Sequence, residues 1–212
     1  MMPRRALLLA SPLLIAACGS LVDLGPGGPP PAIYTLPPVV HVDDATAAPV
    51  RLLVEEPGVA GALDSDRIAV RRSPILIEYL ADARWEDRVP RLVERHLTAY
   101  LDGRKGLAAV GALEADLPVA YRLRLDLRTF EADIPGDGGP SPRAVVAVAA
   151  TLQSATSSAI VAERYFTAVE QADATDAEAI VRALGTATDR IAAALADWIE
   201  THLAAGAPGD RD

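Results

Sequence analysis

The chain has 212 residues, half of them hydrophobic but only 4% aromatic, with one cysteine and a formal net charge of −9. That length supports a medium domain with a real core, and the acidic balance argues against nucleic acid as a partner and against adhesion to anionic head groups through a basic patch. A single cysteine excludes a disulfide within the chain.

Arg4 and Arg5 precede an apolar run, residues 6–17, broken only by Ser11 and Pro12, and the small residues Ala16 and Ala17 lead to Cys18. This is signal-peptide anatomy, too short to span a bilayer, which needs about 20 apolar residues. The order Leu14, Ile15, Ala16, Ala17, Cys18 resembles the lipobox of bacterial lipoproteins, in which the cysteine thiol takes diacylglycerol, the chain is cut just before it and the freed amine is usually acylated too. Cys18 is therefore the expected lipidation site. Each buried methylene contributes about 0.8 kcal/mol, so one acyl chain anchors marginally and two or three anchor durably. An ordinary buried cysteine behind a secretory signal is the competing reading, and it leaves the position of Cys18 at the end of the apolar run unexplained. Cleavage leaves 195 residues with 18 Lys and Arg against 29 Asp and Glu, a charge of −11. Gly19 is not the aspartate that retains lipoproteins in the inner membrane of enteric-type bacteria, so the outer membrane is favoured.

Residues 18–31 carry the lipidated cysteine and a tether rich in Gly and Pro (GPGGPPP at 25–31), which sustains neither helix nor central strand. A plain spacer is preferred there over a polyproline ligand. The folded domain is expected over residues 32–205, followed by a disordered tail, 206–212. Its first β-prone runs are residues 33–36, 50–54, 67–72 and 75–80, the last two separated by Ser73 and Pro74. A helix is predicted over 86–101, where Val89, Leu92, Val93, His96, Leu97 and Tyr100 recur at spacings of three and four, Pro90 sits in the first turn and Gly103 ends it. Residues 121–130 alternate cleanly, with Tyr121, Leu123, Leu125, Leu127 and Thr129 on one side and Arg122, Arg124, Asp126 and Arg128 on the other. Residues 144–153 and 160–169 complete an antiparallel meander. A long helix over 176–203, with Asp173 and Thr175 as caps, presents Ile180, Leu184, Ile191, Leu195, Trp198 and His202 to the sheet. The fold class is thus α+β: a single domain, mainly antiparallel sheet, with two amphipathic helices packed on one face.

No catalytic constellation is present. His41, His96 and His202 lie on different elements without metal-ligand spacing, so no metal or cofactor is expected beyond the acyl groups on Cys18. The run Gly136, Asp137, Gly138, Gly139 reads as a turn, since no helix pattern follows it. The acidic pairs Glu55 and Glu56, and Asp64 and Asp66, lie in loops and read as solvated carboxylates. The exposed ladder Arg122, Arg124, Arg128 is the candidate partner-binding feature, suited to a phosphate or an acidic surface, although cross-strand pairing with residues such as Glu163 is the simpler reading.

The lipobox, then Tyr34-Thr35-Leu36 after the Pro-rich tether, then RIAVRRSPILIEYLADARWEDRVPRLVERHL over residues 67–97, resembles the ABC-type transport auxiliary lipoproteins, including PqiC-like members associated with MCE-domain lipid transport. In that family the segment reads as a strand, an aromatic corner at Arg84 and Trp85, and a helix crossing the sheet, with Trp85 preferred as a core anchor over a lipid contact. The resemblance implies a non-enzymatic domain, lipid-anchored at the periplasmic face, that scaffolds or docks beside an MCE-domain protein and an ABC permease and ATPase that move lipids across the envelope, with phospholipid a candidate partner and the transported lipid left open. A periplasmic lipid-binding carrier with an apolar cavity is the alternative, and a homo-oligomer stays open.

Overall fold

The computed structural model describes residues 30–40, 49–104, 106–111, 116–134 and 141–206. The expected signal peptide, Cys18, most of the tether, His41, the glycine-rich turn at 136–139 and the tail from 207 lie outside the described residues. The chain runs β1 (Ala32–Tyr34), β2 (Val50–Val54), β3 (Gly58–Val59), β4 (Arg67–Ser73), β5 (Leu76–Trp85), α1 (Val89–Leu101), β6 (Leu107–Val110), β7 (Tyr121–Asp133), β8 (Arg143–Ser154), β9 (Ile160–Gln171) and α2 (Ala177–Gly206).

Strand β7 is the axis of a nine-stranded mixed sheet. Along one edge it pairs antiparallel with β8 over its whole length, from Tyr121↔Ser154 to Asp133↔Arg143, and β9 extends the meander outside β8. Along the other edge three short segments follow one another, all parallel to it: β2 at Leu52↔Tyr121, β3 at Gly58↔Asp126 and β4 at Val70↔Ala132. Outside these lie β6, parallel to β2, and β5, antiparallel to β4, with β1 parallel to β5. The α+β, mostly antiparallel architecture expected from the sequence is present. The parallel edge, with β3 and β6, is an addition to it.

The alternation along β7 does not run unbroken. The register shifts between Leu127 and Thr129, so two residues of β7 oppose one of β8 and Arg128 forms a bulge. Leu123, Leu125 and Leu127 are buried before it, and Phe130 and Ala132 after it. Thr129 thus loses the buried position that strict alternation assigns to it.

Helix α1 begins three residues later than predicted because the donors before it serve the sheet: Glu86 N–H donates to the Tyr34 carbonyl (2.8 Å) and Val89 N–H to the Ser65 carbonyl (3.0 Å). Gly103, at φ 72°, supplies the left-handed residue that ends it. Its buried face is Val89, Leu92, Val93, His96, Leu97 and Leu101, with Tyr100 half-buried. The cap of α2 is Asp176, whose Oδ1 accepts from Ala179 N–H at 3.0 Å; Asp173 instead pairs with Arg182. Asp176 succeeds where Asp173 and Thr175 do not because it stands three residues before an unpaired helical donor.

The two helices meet each other on the same face of the sheet. Buried His96 on α1 holds Asp189 Oδ1 on α2 through Nε2 at 2.7 Å, a satisfied partner rather than a ligand. One turn earlier on α2 the backbone at Gly185 approaches the Pro37 ring so closely that a β-carbon there would clash with Cδ and lie 2.7 Å from Cγ. The segment after β1 is thereby seated against α2.

That contact sets a sign for substitution. Alanine in place of a helical glycine ordinarily gains about 1 kcal/mol, but overpacking against a rigid ring costs about 1–3 kcal/mol. Gly185→Ala is expected to lower the unfolding free energy in urea by about 1 kcal/mol, whereas in a Pro37→Ala background the same change becomes neutral or stabilising. A Gly185→Ala protein more stable than the parent would contradict the close packing.

Candidate functional site

The helices cover one face of the sheet, so residues of opposite parity on β7 and β8 form an outer face. Arg122 and Arg124, alternating with buried Leu123 and Leu125, project there. Their shared partner is Glu55, with Arg122 Nη1 3.5 Å from Oε1 and Arg124 Nε 3.5 Å from Oε2. Parallel pairing of β2 with β7 puts Glu55 in this position, since Glu55 N–H donates to the Leu123 carbonyl at 3.0 Å. Arg128, in the bulge, pairs with Asp126 at 2.7 Å. Glu163 is not the partner of this ladder. It accepts from Thr151 Oγ1 at 3.2 Å, its direct neighbour across β8 and β9.

Glu55 is shared by two guanidiniums at distances too long for strong hydrogen bonds, and Asp126 and Glu163 on the same face balance the remaining arginine charge. Beside it lies a groove of about 270 Å³ walled by Gln153, Ser154 and Ser158. Ser158 holds a left-handed backbone, φ 58°, in the β8–β9 turn, and its carbonyl accepts from Gln153 Nε2 at 2.6 Å. A second groove of about 620 Å³ continues past Gly58, Asp126, Arg128 and Thr151. This surface presents guanidiniums paired with carboxylates. It brings no nucleophile together with a general base.

The Arg84 and Trp85 corner divides between inside and outside. Trp85 is fully buried, packs against Phe130 with ring centroids 5.8 Å apart, and donates its backbone N–H to the Asp66 carbonyl at 2.7 Å. Its indole Nε1 finds no acceptor among the described residues. Arg84 faces solvent, 3.8 Å from Asp66. The corner is thus a packing device whose aromatic half has no exposed surface to offer a lipid.

The loop carboxylates keep contact with solvent and are also ion-paired. Arg88, at the start of α1, engages Asp64 through Nε at 2.6 Å and Glu56 at 3.3 Å, and the Asp64 hydrogen bond raises the guanidinium pKa. Arg71 makes a two-pronged contact with the buried carboxylate of Glu131, with Nη2 to Oε2 at 3.0 Å, and its pKa is raised by that bond. Neither pair is visible from sequence spacing, because the partners are joined by long-range strand register. A groove of about 660 Å³ beside α1 is lined by Glu56, Asp87, Arg91, Arg95 and Asp102 among others. Edge strand β9 exposes Ile160, Val161, Tyr165 and Val169; the last three share the spacing of one strand face. Among the described residues no group of three or more His, Cys, Asp or Glu side chains is arranged to hold a metal ion, and no helix is long and apolar enough to cross a membrane.

Known structures share this architecture. Protein XCC0632 from Xanthomonas campestris, of the DUF330 family, is 28% identical, with a TM-score of 0.68 over 82% of this chain and 98% of its own. The hypothetical protein CT253 from Chlamydia trachomatis, 9% identical, shares the fold at a TM-score of 0.51 over 75% of this chain and all of its own. No curated protein sequence matches. The profile of the ABC-type transport auxiliary lipoprotein component covers residues 34–196, from the end of β1 to the last third of α2. By that match the chain belongs to the ABC-type transport auxiliary lipoprotein family.

Proposed function

We propose that this protein is the lipid-anchored auxiliary subunit of an MCE-type ABC transport system, a docking or scaffold component in lipid transport across the envelope. In this reading residues 1–17 are removed, Cys18 carries the acyl groups, residues 18–31 tether the domain, and residues 32–205 work at the periplasmic face, with Gly19 favouring the outer membrane. Family membership over residues 34–196 carries the proposal. Support for docking over carriage comes from the groove along β7, whose lining is mainly polar and ionisable, whereas a lipid carrier needs an apolar cavity.

We assign the docking surface to the outer face around Arg122, Arg124 and Arg128. An acidic segment of an MCE-domain protein or a permease would displace Glu55 from its long contacts with Arg122 and Arg124. Because exposed pairs contribute only about 0–1 kcal/mol to stability, this surface can be changed without unfolding the domain.

Mild crosslinking in the envelope followed by affinity isolation is expected to recover an MCE-domain protein or a permease or ATPase component, and recovery of no transporter component would overturn the docking reading. Arg122→Glu with Arg124→Glu is expected to cut that recovery severalfold while the thermal unfolding midpoint stays near that of the parent. Cys18→Ser is expected to abolish acyl incorporation and release the protein to the soluble periplasmic fraction. Acylated parent protein found only in the inner membrane would reverse the membrane assignment.

A further inference from the structure

We infer that the tip of the β4–β5 hairpin, Pro74 to Leu76, is where the folded domain touches the membrane that holds its acyl chains. The inference rests on Cys18 acylation as proposed above. It begins from a side chain that the fold does not use: Ile75 is 96% exposed, the highest value among the large hydrophobic residues described, and its neighbour Leu76 is 46% exposed. Turn positions of a hairpin ordinarily carry Gly, Asn, Asp or Ser, whose backbone preferences suit the bend. An isoleucine there gains nothing from the fold in water and gains from transfer to an apolar phase.

The tip is braced. Arg71 grips Glu131 on β7 and also donates from Nη1 to the Pro74 carbonyl at 3.1 Å. The Arg71 carbonyl accepts from Ile134 N–H at 2.9 Å, and Arg72 pairs with Glu78 across the hairpin at 3.0 Å. Ile75 is therefore carried on a fixed projection with two guanidiniums at its base, and Arg72 is about half exposed. Arginine behind an apolar tip suits the layer of lipid phosphates that lies just outside the acyl chains.

The direction of the chain supplies the orientation. Because β1 runs parallel to β5, with Ala32 opposite Ala83 and Tyr34 opposite Trp85, the chain enters β1 from the side on which β5 begins, which is the hairpin end. From Ala83 back to Leu76 is seven residues of strand, about 23 Å. The fourteen-residue step from Cys18 to Ala32 reaches at most about 48 Å when fully extended. The fourteen residues from Cys18 to Ala32 therefore have ample length to let the tip reach the bilayer. One apolar tip binds a membrane weakly by itself, but a tethered one does so as an intramolecular event at high effective concentration.

The experiment uses the full acylated chain. Trp85 and Trp198 are 1% and 5% exposed, so Ile75→Trp adds an indole that reports on its own surroundings. Tyr165→Trp, on the outer face of β9, is the control. Each protein is reconstituted on phosphatidylethanolamine and phosphatidylglycerol vesicles, with and without lipids bearing a doxyl quencher on the acyl chain. The expected result is a blue shift and a severalfold loss of the added emission for Ile75→Trp with quencher lipids, and neither change for Tyr165→Trp. Acylated, vesicle-bound Ile75→Trp protein whose added emission stays solvent-like and unquenched would overturn the membrane contact. So would shielding that appears only when transporter proteins are added, which would make the tip a protein contact. Protein that is not acylated and does not float with vesicles would overturn the anchoring itself, a result that mass measurement of the Cys18 peptide separates from the first.

Discussion

The backbone of β7 has two long edges whose donors and acceptors must all be met inside a sheet, and the rest of the domain is arranged to meet them. One edge is served by a single partner, β8, over twelve paired positions. The other is served in relay by β2, β3 and β4. That relay brings residues 50–73 alongside residues 121–133 and so places Glu55 between Arg122 and Arg124, and Arg71 against Glu131. The bulge at Arg128 then keeps the apolar face continuous by moving the buried positions from odd to even numbers.

With β7 placed, the helices have one face to occupy. The core they close is built largely from Ala, Val, Leu and Ile, and small side chains along α2, such as Ala183, Ala187 and Ala192, are buried together with Leu184 and Ile191. Small residues let backbones approach, which is why Gly185 can sit against Pro37 and why a single added methyl has a large effect there. The His96–Asp189 contact ties α1 to α2 through one buried and one half-exposed partner, fixing how the helices sit against each other without requiring any ligand.

The opposite face and the hairpin end are left free, and they differ in character. The outer face carries paired but loosely held charge, arginine over carboxylate, of the kind that trades partners. The hairpin end carries an isolated apolar projection on a rigid base. The domain thus keeps separate surfaces for charge and for an exposed apolar side chain.

Much of this was legible in the chain. The span of β2, the placing of α1 and α2, the meander of β7, β8 and β9, and the helix stripes follow from local periodicity, because alternation and a 3.6-residue repeat are written in neighbouring residues. The family resemblance was carried by the same local patterns, and the prediction of Cys18 lipidation needs no tertiary contact at all. The partners of Arg122, Arg124, Arg88 and Arg71 were not legible. Each lies in another segment, from 24 to 69 residues away, brought there by long-range packing that leaves no periodic mark. The same holds for β3 and β6, too short to show a period, for the bulge at Arg128, which an alternating pattern conceals, and for the exposure of Ile75, which as a residue type predicts burial. The sequence alone determined that the longer strands and both helices form and which face of each helix is apolar, since those depend on neighbouring side chains. Only the tertiary structure decided which charges meet and which apolar side chain is left in water, since those depend on how distant backbones satisfy one another's hydrogen bonds.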